Sequence, residues 1–376
     1  MTSTQNPIRR IAISTGGGDA PGLNAVIRSV VLAATRLGWE CFGIREGFNG
    51  ILCPDRYPDN GVFALSKDQV RGISHLGGTI LGTTNHGNPM RFVITDDQGV
   101  KKEVDRSQDI IAYLRNKQID ALVCIGGDGT LTIANALHER GLAQGLRVIG
   151  VPKTIDNDLD KTYTTFGFDT AVAFATECID RLHSTAESHQ RVLVVEVMGR
   201  YAGWIALHAG MASTAHAILI PEIPYDLKKI AAKIDARSKA GRHYSIVVAA
   251  EGALAKDGQA LIEQAAGLGS VERLGGVGER LAQQLQNETG KDARAVVLGH
   301  LLRGGSPTAF DRLSAMRFGA AAVRALHQGY SGIMVALDFP NVKYVNLAEV
   351  AGRMKAVPLD GDTLQTARDI GICLGD

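Results

Sequence analysis

The stretch Ala121-Leu122-Val123-Cys124-Ile125-Gly126-Gly127-Asp128-Gly129-Thr130 decides how the chain is read. Five apolar residues in a row suit a strand covered on both faces. Two glycines then break it, and Leu131–Arg140 has the spacing of an amphipathic helix. A buried strand passing through a glycine turn into a helix is part of a βαβ unit, which implies a parallel sheet. The turn itself carries chemistry. Adjacent glycines let a phosphate chain approach the backbone at a helix N-terminus. Asp128 puts a carboxylate into the same space, suited to Mg2+, a hard ion that takes carboxylates and substrate phosphates. The plainer readings are an Asx-turn for Asp128 and a helix cap for Thr130.

The same alternation continues in both directions. Strands are expected over Ile8–Thr15, Cys41–Arg45, Ala121–Ile125, Arg147–Val151, Val192–Val197, Ala217–Ile220, Ser245–Ala250, Ala295–Leu298 and Gly332–Leu337. Helices are expected over Asn24–Arg36, Asp109–Lys117, Leu131–Arg140, Ala171–Ser184, Gly278–Glu288 and Phe310–His327. That is an α/β chain with right-handed crossovers and mainly parallel sheets. Its 376 residues exceed the roughly 250–300 that one core accommodates, so two domains around a cleft are expected. The 44 glycines suit a fold with many tight strand-to-helix turns.

Bulk charge excludes some partners. The net charge of +1 creates no field that would draw nucleic acid or a membrane. Arginines must therefore be read as site residues. The five cysteines are scattered, with no metal-binding spacing, which fits a reducing cytoplasm. The polar start from Met1 to Arg10 does not resemble a signal peptide, and no run is long and apolar enough to cross a bilayer.

Other motifs fall where ligands bind in such folds, beyond the carboxyl ends of strands. In Thr15-Gly16-Gly17-Gly18-Asp19-Ala20-Pro21-Gly22, the glycines offer N–H groups to an anion, or form a plain turn. In Pro152-Lys153-Thr154-Ile155-Asp156-Asn157-Asp158, two carboxylates lie two residues apart and point the same way on an extended backbone. One can accept the proton of an attacking hydroxyl, while the other holds metal or fixes the first. A solvated Asp/Asn turn is the alternative. Met198-Gly199-Arg200 and His300-Leu301-Leu302-Arg303 each set an arginine beyond a strand, and Arg191 and Arg294 stand at the starts of the same two strands. Four guanidinium forks suit a substrate with a permanent phosphate.

With these segments in place, the sequence resembles the 6-phosphofructokinase family over nearly its whole length. Gly17–Arg28, Gly77–Gly82, Gly126–Thr130, Pro152–Asp158, Gly167–Ala171, Asp180–Leu182, Ser188–Ala202, Pro221–Glu222 and Arg294–Pro307 carry the likeness, in the family's order. The resemblance implies two Rossmann-like domains with the active site in the cleft. Residues 1–166 with 290–345 would form a larger donor-binding domain, and 167–289 with 346–376 a smaller sugar-phosphate domain. It implies transfer of the terminal phosphate of ATP to the 1-hydroxyl of fructose 6-phosphate. Gly17, Gly18, Gly126, Gly127, Asp128, Gly129, Thr130 and Lys153 match the donor site, with Asp128 on Mg2+. Asp156 matches the general base, with Thr154 and Asp158 beside it, and Arg200 the stabiliser of the transferring phosphate. Met198, Gly199, Glu222, Arg191, Arg294, His300 and Arg303 match sugar-phosphate contacts. In the family, Arg191 and Arg294 reach in from a neighbouring subunit, which implies a homo-oligomer.

The donor question turns on two positions. Lys153 is associated with pyrophosphate-using members, and Gly129 with ATP use. A carboxylate at 129 would repel the nucleotide α-phosphate, whereas a lysine at 153 suits either donor, so Gly129 is given more weight. Pyrophosphate remains the alternative. Asn85 and Ile133 replace an arginine and a glycine of the short bacterial enzymes near the nucleotide. Leu32 replaces an effector-site arginine, so no effector is carried over.

Overall fold

A computed structural model of the chain describes residues 8–256, 258, 262–264 and 273–376. The polar start read from Met1 lies mostly outside them. In chain order the principal elements begin with β1 (Arg10–Thr15), α1 (Leu23–Arg36), β2 (Glu40–Ile44), β3 (Val62–Ala64), α2 (Ser107–Asn116), β4 (Ala121–Gly126), α3 (Asp128–Gly141) and β5 (Arg147–Thr154). They continue with α4 (Phe168–His189), β6 (Val192–Val197), α5 (Trp204–Ala212), β7 (Ala217–Leu219), α6 (Leu227–Lys239), β8 (Ser245–Ala250), α7 (Val277–Thr289) and β9 (Ala293–Val297). The chain ends with α8 (Ala309–His327), β10 (Ile333–Asp338), β11 (Asn341–Asn346) and α9 (Asp362–Asp369).

Two sheets form. The larger runs β11-β10-β5-β4-β1-β2-β3, with a short strand at Phe166–Gly167 pairing with β5. Its five central strands are parallel, and the outer pairs β10–β11 and β2–β3 are antiparallel. The smaller, β7-β8-β6-β9, is parallel throughout. Both are mainly parallel for the reason legible in their sequences: β4, β6 and β8 are buried at every position, so helices cover both faces. Each fully buried Val, Leu or Ile contributes about 1.5–3 kcal/mol; such residues make up half of β4 and β8 and all of β6 but Glu196.

Strand order fixes the site. In the larger sheet the chain moves from β1 to β2 on one side and from β4 to β5 on the other, so a crevice opens between β1 and β4. Gly16 and Gly127 follow those two strands, and the Gly16 amide donates to the Ile125 carbonyl at 3.0 Å. In the smaller sheet the corresponding point lies between β6 and β9. Met198–Arg200 and His300–Arg303 follow them.

The sheets do not divide where the sequence reading cut them. Residues 290–345 were assigned to the larger domain, yet β9 pairs with β6 in the smaller sheet, and only β10 and β11 rejoin the larger one. A strand's partners follow from crossover geometry, which a local apolar pattern does not encode. β11 is an edge strand of the larger sheet. Helices α5, α6 and α9 have no counterpart in the expected set. α5 is apolar nearly all round and shows no 3.6-residue stripe, while α6 and α9 are dominated by charged and polar residues.

Candidate active site

Three loops leave the larger sheet side by side. The first, Gly16–Asp19, approaches the second so closely that a Cβ on Gly16 would sit 2.6 Å from Thr130 Oγ1. Thr130 is buried within the first turn of α3 and fills the gap between Gly16 and Gly126. It does not cap the helix: the cap position is Gly127, and no side chain caps it. Asp128 opens the helix and faces solvent, its Oδ1 accepting the Gly352 amide at 2.7 Å. Gly129 has open space around it.

The third loop begins inside β5, which runs on to Thr154 and so carries Lys153 at its end. Lys153 is buried, and its Nζ donates to the carbonyl of Gly18. Burial brings this ammonium down to about 7, Arg303 adding to the effect and Asp19, Asp158 and Asp156 opposing it. A cation between the glycine loop and the carboxylates is placed for a phosphate. Beyond it, Thr154 Oγ1 accepts the Asp156 amide at 3.1 Å.

Asp156 is the unusual group. Its Oδ1 is buried and takes no hydrogen bond among the described residues. Burial, then the neighbouring Asp158, raise this carboxyl well above the usual carboxylate range, against the pull of Arg303 and Arg200. Asp158 is raised as well, by burial first and in part by Asp128. Asp158 thus raises Asp156 and is itself raised by Asp128, at the crossing of the large-sheet loops.

The smaller sheet brings the arginines. Arg200 follows β6, and Arg303 ends a 3-10 turn after β9, with Nη1 donating to the Asp19 carbonyl at 3.1 Å. Gly199 sits at φ 138, and a Cβ there would meet the Ala202 carbonyl at 2.7 Å. Met198 is buried in the core of this layer, and His300 is exposed.

Sequence reading passed over Glu251. It follows β8, and its amide donates to the Val197 carbonyl at 2.8 Å, which sets it beside the Arg200 turn. Burial raises its carboxyl, and Arg200 opposes that shift first, with Arg303 also contributing. An acid followed by glycine after the apolar run Ser245–Ala250 was the available signal. Glu222, read as a sugar contact, has its oxygens engaged by backbone. It accepts the Gly203 amide at 3.1 Å and the Val357 amide at 2.8 Å.

Arg191 and Arg294 stand apart from the rest. Both clasp Asp292, at 2.7 and 3.0 Å, at the amino ends of β6 and β9. The six residues of β6 rise about 20 Å between Arg191 and the Met198–Arg200 turn. Within one chain this pair does not reach the site that holds Arg200. A cavity of about 750 Å³, lined in part by His183, His216, Lys233, Arg237 and Arg242, also opens at these amino ends and contains none of the site residues.

The family profile described as Phosphofructokinase matches residues 10–326, which include all these loops. The chain belongs to the phosphofructokinase family. An ATP-dependent 6-phosphofructokinase of Chloroflexus aggregans is 49% identical to it over 98% of both chains. A pyrophosphate–fructose 6-phosphate 1-phosphotransferase of Amycolatopsis mediterranei is 46% identical, over 93% of this chain and 97% of its own. Among solved structures, phosphofructokinase from Saccharomyces cerevisiae superposes with a TM-score of 0.75 at 29% identity, over 91% of this chain and 45% of the yeast chain. The α/β architecture of the chain thus agrees with the sequence reading, and no helix among its described residues is long and apolar enough to cross a membrane.

Proposed function

We propose that the chain transfers the terminal phosphate of ATP to the 1-hydroxyl of fructose 6-phosphate, giving fructose 1,6-bisphosphate. The observation that carries this reading is Asp156, a half-buried carboxylate whose buried Oδ1 takes no hydrogen bond among the described residues, within reach of Arg303 and Arg200. In this reaction the sugar oxygen attacks the γ-phosphorus as the bond to the β-phosphate oxygen breaks and ADP departs. Asp156 takes the hydroxyl proton, a step worth ~10²–10⁴-fold in rate. Thr154 holds the Asp156 amide, and Asp158 keeps that carboxyl basic through repulsion. Arg200 offsets charge on the transferring group, and Arg303, His300 and Glu251 hold the sugar phosphate.

The donor lies on the large-sheet side, along Gly17, Gly18, Gly126–Thr130 and Lys153. Asp128 would hold Mg2+: it faces solvent, one oxygen carries only a backbone amide, and Asp158 lies within its electrostatic reach. One or two carboxylates plus substrate phosphates form the usual Mg2+ site. When bound, the ion neutralises charge on the leaving diphosphate.

Arg191 and Arg294 complete the sugar-phosphate clamp of a second subunit. Their distance from Arg200 in one chain supports a homo-oligomer with isologous, shared sites. Five free thiols favour a reducing cytoplasm. Pyrophosphate is the second reading, supported by the buried Lys153 at the glycine loop. Incubation with MgATP and fructose 6-phosphate, followed by 31P NMR, tests the acceptor. A new phosphate ester at C1 is expected, and esterification elsewhere, or none, contradicts the proposal.

A further inference from the structure

Residues 351–357 are irregular, yet their polar groups are closely engaged. The Gly352 amide donates to Asp128 Oδ1 at 2.7 Å, and the Lys355 amide to the Asp158 carbonyl at 2.8 Å. Met354 bridges to Leu159. The Lys355 carbonyl accepts Trp204 Nε1 at 2.9 Å, and the Val357 amide donates to Glu222 Oε1 at 2.8 Å. The segment is a strap. It starts at the donor loop, crosses the carboxylate loop and ends on the smaller sheet. Five residue steps reach at most about 18 Å, so the strap limits how far these parts can separate.

Lys355 turns inward from it. Its Nζ donates to Asn157 Oδ1 at 2.9 Å and to the carbonyls of Thr162 and Tyr163, both at 3.1 Å. An ammonium has three donors, and all three are used. The Trp204 ring centroid lies 5.5 Å away. Asn157 sits between the two carboxylates at φ 52, and its Oδ1 also accepts the Thr165 amide at 3.2 Å. Thr165 Oγ1 returns to the Thr154 carbonyl at 2.7 Å. The loop from Thr154 to Thr165 is thereby closed on itself, with the Lys355 ammonium as its central donor. Asn157 and Thr162 are buried, so without the ammonium these oxygens lose a donor where water is scarce.

We propose that Lys355 is a positioning residue for phosphoryl transfer: delivered by the strap, its ammonium fixes the Thr154–Thr165 loop so that Asp156 faces the reacting hydroxyl. This rests on Asp156 being the base. The test compares Lys355→Met, Lys355→Arg and Asp156→Asn in the full chain, with fructose 6-phosphate and MgATP and with circular dichroism as the folding control. Misplacing a catalytic group by about 1 Å costs ~10²-fold. Lys355→Met is therefore expected to lose about 10²-fold in kcat with both KM values little changed, and Lys355→Arg about tenfold. Unchanged kcat in folded Lys355→Met overturns the proposal, as does a loss that arginine does not reduce. If the methionine variant fails to fold, Lys355→Arg decides: reduced kcat at constant KM supports the role, and undiminished kcat overturns it. Near-normal turnover of Asp156→Asn would instead remove the base assignment, whatever the lysine variants do.

Discussion

Arg303, on the smaller sheet, donates from Nη1 to the carbonyl of Asp19, on the larger, at 3.1 Å. The arginine proposed to clamp the sugar phosphate is thus joined directly to the loop proposed to hold the donor. A Cβ on Gly18 would lie 2.7 Å from Arg303 Cζ. Gly18→Ala is expected to push the guanidinium aside without unfolding the chain, since the displaced group is the end of a flexible side chain. A charge-assisted hydrogen bond contributes roughly 1.5–3 kcal/mol, so kcat/KM for fructose 6-phosphate is expected to fall ~10–100-fold, mainly through KM. Steady-state kinetics with varied sugar phosphate checks it.

Asp156 is expected to govern both rate and pH dependence. Asp156→Asn should lower kcat by ~10²–10⁴-fold with sugar binding largely kept. As the proposed base Asp156 would work deprotonated, and its carboxyl is raised by burial and Asp158. The acid limb of the kcat profile should therefore lie above the ~4 of an ordinary aspartate, and a limb at ordinary values would disagree.

The same shift has a stability consequence of opposite sign to the usual one. A folded pKa above the unfolded one means that the unfolded state holds fewer protons between the two values, so stability falls as pH rises through that window. Asp156→Asn removes the buried charge. It is expected to raise the unfolding temperature at neutral pH, with the gain shrinking as pH falls toward ~4.

Gly129 lies in the first turn of α3 with nothing within 4 Å of an added Cβ. Aspartate fits there without a clash, and its charge suits a helix N-terminus. Gly129→Asp is therefore expected to fold normally. It should weaken ATP use far more than sugar-phosphate binding, because the carboxylate meets the α-phosphate. Paired KM measurements for the two substrates decide it.

Arg191 and Arg294 sit the length of a strand from Arg200. If they serve a neighbour's site, Arg294→Ala and Asp156→Asn damage different subunits' contributions to one site. Mixed and reassembled, the two inactive variants are expected to recover activity. No recovery in verified mixed oligomers would place the pair outside catalysis.

Much of this was legible in the chain. β6 and β8 match their expected bounds, because continuous apolar runs ended by polar residues leave little choice. The loops carrying Gly18, Asp128, Asp156 and Arg200 were readable for a related reason: glycine and charge directly after such runs fall at strand carboxyl ends. Other features depend on partners distant in sequence. The placement of β9 beside β6 follows from crossover topology. Glu251 gains meaning only beside Arg200, and Lys355 only through acceptors nearly 200 positions earlier. Thr130 looked like a helix cap because its type suits one, but its packing against Gly16 and Gly126 is tertiary.

The most direct test of the account is a donor comparison on purified protein with fructose 6-phosphate and Mg2+. ATP and pyrophosphate are supplied separately, and fructose 1,6-bisphosphate is measured together with ADP or phosphate. The expected result is turnover with ATP, one ADP formed per bisphosphate, and a kcat/KM for ATP well above that for pyrophosphate. Turnover with pyrophosphate alone would contradict it.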